Sequence, residues 1–258
     1  MRLSGLALCL VLAGPARGGD EEAAELLRSG RLEDALEAAA RFEARVSRAP
    51  GDFEGRLGAA LALNQVMAIQ SNGNLPLIDG LQDSEANKAL WQQLGGRALE
   101  HARRAHSERP DSVLAAAALA TSYMFYASGL GILRSILQGA GGEYRVHAQR
   151  LVDLDPRHED ALGHTLLASF FLVAPWPVGD DDAALEHYER ALELAPGSVR
   201  NHYGLGVYWA RNADPRRARP YFERAEAMPC GPTSERLFCD WIKAESRRVL
   251  ESLAGSSP

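Results

Sequence analysis

The sequence predicts an all-α fold, a solenoid of antiparallel helical pairs ended by one covering helix. Two observations carry that prediction. Apolar and small residues recur at helical spacing along almost the whole chain, and no stretch alternates as a half-buried strand does. One stretch, Gly197 to Cys230, also reads as a complete unit that recurs in outline upstream. In it Leu205, Gly206 and Trp209 fall on one helix and Ala218, Phe222 and Ala225 on the next, with Asn212-Ala213-Asp214-Pro215 as the turn between them.

This small-plus-large pattern on two short helices, at about 34 residues per unit, resembles the tetratricopeptide repeat. The resemblance implies stacked pairs wound as a right-handed superhelix, with the first helix of each pair lining the concave face.

The elements follow in order. A first unit spans 20–50: Leu26 and Leu27 close one helix, Ser29-Gly30-Arg31 turns, and Leu32, Ala35, Leu36, Ala39 and Phe42 continue at helical spacing until Pro50-Gly51. The second unit, 51–110, opens with a helix over Phe53–Gln70. An insertion, Ser71–Ser84, precedes its second helix, Ala86–Ser107, where Ala98, Ala102 and Ala105 keep the offsets of Ala218, Phe222 and Ala225. In the third, 111–156, Leu119, Ala120 and Tyr123 take the places of Leu205, Gly206 and Trp209. A second insertion, Ala127–Gly142, then precedes a helix over Tyr144–Leu154. The fourth, 157–196, repeats the offsets in Ala184, Tyr188 and Ala191, and the fifth is 197–230. Ser234–Leu253 reads as an amphipathic cap within 233–253, and 254–258 as a tail. The two insertions interrupt equivalent turns, so they are expected on one side of the solenoid together with Trp176.

Composition is that of an ordinary globular protein: 258 residues, 46% hydrophobic, 24% charged. A formal charge of −6 argues against nucleic acid as a partner, because phosphate binding needs a basic stripe. Residues 1–18 read as a cleaved signal peptide: Arg2, the apolar run Leu6–Ala13, then small residues, in a run too short to span a bilayer. Too few residues precede Cys9 for a lipoprotein signal. The expectation is therefore a periplasmic or otherwise exported chain with no membrane anchor after cleavage. Ser112–Leu133 carries no charge, yet its Ser, Thr, Tyr, Gly and many Ala suit a buried central helix better than a membrane span. Cys230 and Cys239, the cysteines beyond the signal, are expected to form a disulfide after export.

Catalytic and cofactor motifs are missing. His101 and His106, and His158 and His164, lack the i, i+4 spacing of a helical zinc pair. Asp180-Asp181-Asp182 lacks the alternation of a calcium loop and suits a helix N-terminus instead. Gly139, Gly141 and Gly142 follow no strand, and no Gly-x-Ser-x-Gly elbow occurs. No metal, no cofactor and no enzyme activity is expected.

One segment is more specific. Pro175-Trp176-Pro177, Gly179-Asp180, Ala183 or Ala184, His187-Tyr188-Glu189-Arg190-Ala191, Leu194-Ala195-Pro196 and Asn201-His202 resemble the TatT-like proteins. Those are periplasmic helical-repeat components of TRAP-type solute transporters. That resemblance implies a non-enzymatic scaffold that binds an extracytoplasmic solute receptor, with a cavity for an apolar small ligand. The alternative is a general tetratricopeptide adaptor in cell-envelope assembly, holding a protein or peptide. Concave-face offsets name Arg200, Tyr203, Val207 and Arg211 in the fifth unit, and Met124 and Phe125 beside Leu114, Ala117 and Thr121 in the third. His164 and Trp176 are their expected neighbours.

Overall fold

The computed structural model describes residues 18–255, with side chains from 21 to 253. The signal reading of residues 1–18, Cys9 included, lies outside the described residues except for Gly18. Five hairpins follow one another: α1 (Gly18–Ser29) with α2 (Leu32–Arg48), α3 (Phe53–Gln70) with α4 (Glu85–Glu108), α5 (Val113–Leu130) with α7 (Ala140–Leu154), α8 (His158–Val173) with α9 (Asp181–Leu194), and α10 (Val199–Arg211) with α11 (Pro215–Ala227). A short helix, α6 (Ile132–Leu137), bridges the third pair, and α12 (Cys239–Gly255) covers the end. Each helix packs chiefly on its sequence neighbours, as in an all-α solenoid.

Local chemistry sets the boundaries. Pro50-Gly51-Asp52, Pro110-Asp111-Ser112 and Pro196-Gly197-Ser198 each end one helix and cap the next. The side chains of Asp52, Ser112 and Ser198 accept from the backbone N–H groups of Gly55, Ala115 and Asn201. Each such cap is worth about 1 kcal/mol. Asp180 caps α9 in the same way through Ala183, with Asp181 and Asp182 in the first turn. The fourth unit breaks the rule. His158 follows Pro156-Arg157 and no side chain caps α8. Glu159, Asp160 and Ala161 then wind left-handed, with φ of 49°, 56° and 62°, which costs about 1–2 kcal/mol per residue.

Packing follows the small-plus-large pattern. Ala35, Ala98, Ala184 and Ala218 are fully buried, so neighbouring helices approach closely. Glycine is required at two of these crossings. A Cβ on Gly58 would lie 2.5 Å from the Phe42 ring, and one on Gly204 would overlap the Tyr188 ring. Helix α5 is long and apolar enough to cross a membrane by composition. It instead lies among α3, α4, α7 and α8, with Ala115–Ala120, Tyr123 and Phe125 buried.

Three boundaries differ from those read in the sequence. The second insertion shrinks, because α5 runs on to Leu130 and α7 begins at Ala140; the residues between form α6. The cap helix begins at Cys239, since Ser234–Leu237 closes into a 3-10 turn. That turn is fixed by Glu235, which is fully buried and accepts from Ser198 Oγ at 2.6 Å and from the backbone N–H of Val199 and Arg200 at 3.2 Å. A carboxylate here faces the positive end of α10. Cys230 and Cys239 are joined as a disulfide, with Cα atoms 5.9 Å apart.

The two ends of the array also meet. Arg236 donates to the Arg28 carbonyl oxygen, and Leu237 closes on Gly30. Thr233 Oγ1 donates to Asp160 Oδ2, and the Ser234 N–H donates to Glu159 Oε2. The left-handed turn of α8 is thus held by the segment leading into the cap.

Candidate functional site

The first insertion does not extend away from the solenoid. It crosses to the fifth unit, 127 residues further on. Tyr203 Oη donates to the Pro76 carbonyl at 3.0 Å, and Arg211 Nη2 to that of Gly80 at 3.4 Å. Phe238 packs against Gly73, and Leu75 joins the core of Val199, Tyr203 and Val207. Gln82 Nε2 donates to the Leu75 carbonyl and Asn72 Nδ2 to Gln82 Oε1, so the strap is tied to itself.

This strap changes what the expected concave residues can do. Tyr203 and Val207 are fully buried, and Arg200 is 2% exposed. Arg200 spans to the left-handed turn, its Nη2 donating to the Glu159 carbonyl at 2.5 Å, and it lines an inner cavity of about 160 Å³. Arg211 is a strap tie. Phe125 is core, 6.3 Å from the Trp91 ring, with an edge on the inner cavity. These residues were expected on an open face; the chain's own insertion and cap fill that face. His164 is buried between α8 and α9 with its Nδ1 3.0 Å from that of His187, which stacks on Phe171. Burial, then the neighbouring His187 and Arg190, holds its imidazole down to about 4.

Met124 lines another feature, a cavity of about 700 Å³, and Trp176 lies between two of its lining residues, Pro175 and Pro177. All three irregular segments converge on it. Asn74, Pro76 and Leu81 come from the strap, Gly131, Ile132 and Ile136 from the second insertion, and Pro175, Pro177 and Val178 from the loop after α8. Met124, Tyr144, Phe170 and Phe171 complete its wall. Trp176 stands beside it with its ring 89% exposed. The walls are mainly apolar, and Tyr144 Oη is committed to the Leu166 carbonyl at 2.8 Å. Met124, Asn74 and Ser169 line this cavity and the inner one alike.

The rim is apolar too. Leu133 is 71% exposed and Leu137 77%, one position on from the cavity-lining Ile132 and Ile136. The sequence reading passed over these four because Gly131 and Gly139 frame a run of only six helical residues, too short for a period. The signal was available: Ile-Leu-Arg-Ser-Ile-Leu is too apolar for a solvated loop.

The fold is an all-α solenoid of helical hairpins, and irregular segments from three of its turns line one cavity. No family model and no curated protein matches the chain. Solved structures with a similar helical course include MamA, at 16% identity, TM-score 0.48, covering 81% of this chain and 93% of that one. Human IFIT1 dimer with PPP-AAAA is similar at 16% identity and TM-score 0.44, covering 83% of this chain and 51% of that one.

Proposed function

We propose that the protein is a non-enzymatic, extracytoplasmic scaffold of TatT-like type, which binds an apolar small ligand in the large cavity and docks an extracytoplasmic solute receptor over its mouth. The observation that carries this reading is the convergence of the two insertions and the loop after α8 on one mainly apolar cavity. A volume of about 700 Å³ lies within the ordinary range of small-molecule sites, about 300–1,000 Å³. Exposed Leu133, Leu137 and Trp176 beside its mouth supply the kind of patch that marks a protein interface. Against the adaptor alternative stands the strap over Tyr203 and Val207, residues expected to line an open groove.

The test is capture from the envelope fraction of the producing cell. The full exported chain should retain a solute receptor, and the triple variant Leu133→Ser, Leu137→Ser, Trp176→Ala should lose it at an unchanged thermal midpoint. Equal retention by the variant removes the rim from the account. Recovery of assembly factors and no receptor returns the adaptor reading.

A further inference from the structure

We propose that the ligand of the large cavity is a single-chain amphiphile with an anionic head, its chain among Met124, Ile132, Ile136 and Phe170 and its head at Arg145. The proposal rests on the reading of this cavity as a ligand site and names what that site takes.

Three ionic side chains line the cavity: Asp83, Arg145 and Asp180. Two are committed. Asp83 pairs with Lys88 at 3.4 Å, and Asp180 caps α9 by accepting from the Ala183 N–H at 3.0 Å. Arg145 alone of the three has no hydrogen-bond or ion-pair partner among the described residues. Its nearest acid in sequence, Glu143, is turned to His147 and Tyr123, at 3.5 Å from each. The guanidinium therefore stands exposed at the edge of an apolar chamber, with five donors and no acceptor.

The rest of the wall sets the other end of the ligand. Met124 and Phe170 on this wall are apolar, and hydroxyls that line it are occupied: Ser128 Oγ by Asn74 and the Met124 carbonyl, Ser135 Oγ by the Ala127 carbonyl. A wall of this kind rewards hydrocarbon and offers a polar head nothing until it reaches Arg145. Carboxylate and phosphate heads share the required chemistry, since both accept a guanidinium fork.

The test is direct binding to the full chain by calorimetry, below micelle-forming concentrations, with decanoate, dodecanoate, tetradecanoate, tetradecyl phosphate, tetradecanol and tetradecyltrimethylammonium. Affinity should rise up to about fourfold per methylene through the carboxylate series. The two anionic tetradecyl compounds should bind more tightly than the alcohol. Arg145→Gln should weaken both about fivefold and leave tetradecanol unchanged. Equal binding of tetradecanoate and tetradecanol, unmoved by Arg145→Gln, or strongest binding of the ammonium compound, overturns the head-group assignment while the cavity reading stands. If no chain binds at all, the cavity reading falls and the assignment with it.

Discussion

Tyr203 holds Pro76: the phenol donates to the proline carbonyl at 3.0 Å, both residues are buried, and the bond joins the fifth unit to the first insertion. The chain's own insertion thus covers this part of the fifth unit. Burial also drives the Tyr203 phenol well above its ordinary range, so it remains a donor at all working pH. Tyr203→Phe leaves the Pro76 carbonyl bare and should cost about 1–2 kcal/mol. Hydrogen exchange should speed up in 74–82 first, while α3 and α10 stay protected. Uniform loss across the fold would show that the strap is not a separate tie.

The helix crossings predict overpacking. Gly204→Ala drives a methyl into the Tyr188 ring, whose hydroxyl is within 3.1 Å of Ser169 Oγ. Ala218→Leu forces a larger side chain into the buried cluster that holds Tyr203 and Phe222. Each should cost about 1–3 kcal/mol in chemical denaturation. An unchanged midpoint for either would mean that the crossing can relax.

The fold was largely legible where short-range chemistry decides it. Pro50-Gly51 marks a helix stop in the sequence, and the helix expected over Phe53–Gln70 has those bounds in the structure. Small residues at equivalent offsets found the helix crossings. The site was legible only in part, because its key contacts are long-range. Nothing local in Tyr203 announces Pro76, and nothing in Glu159-Asp160-Ala161 announces a left-handed turn held by Thr233 and Ser234. Arg145 belongs to no sequence motif, and only its place on the cavity wall singles it out.

The cap should depend on its covalent and ionic ties. Cys230 and Cys239 close a short loop, worth about 2.5–3 kcal/mol in chain entropy. Cys230→Ser with Cys239→Ala should lower stability by up to that amount. Exchange should rise first in α12 and in the 3-10 turn that carries Glu235.

Acid should destabilise the protein above the carboxylate range. All seven histidines are held below their ordinary pKa, and burial is the first cause for each. A depressed histidine pKa means that the unfolded chain binds more protons than the folded one below about pH 6.5. Stability is therefore full above that pH and falls as pH drops from about 6.5 toward 4, where His164 titrates in the fold. Thermal midpoints from pH 8 to pH 4.5 should decline over the lower half of that range. His164→Gln should flatten part of the slope. A midpoint independent of pH between 7 and 5 would contradict the burial of these rings.

The central claim is that three irregular segments build one ligand chamber, and filling that chamber tests it most directly. Gly141 lines it from the first turn of α7, and a Cβ there meets nothing closer than the Phe170 ring at 3.6 Å. Gly141→Phe therefore places a ring in the cavity on a helix that gains propensity from losing glycine. In a fluorescence titration with the apolar probe N-phenyl-1-naphthylamine, the unaltered chain should bind one probe per molecule. Gly141→Phe should bind none, at an equal or higher thermal midpoint. Undiminished binding by the variant, or no binding by the unaltered chain, would contradict the account.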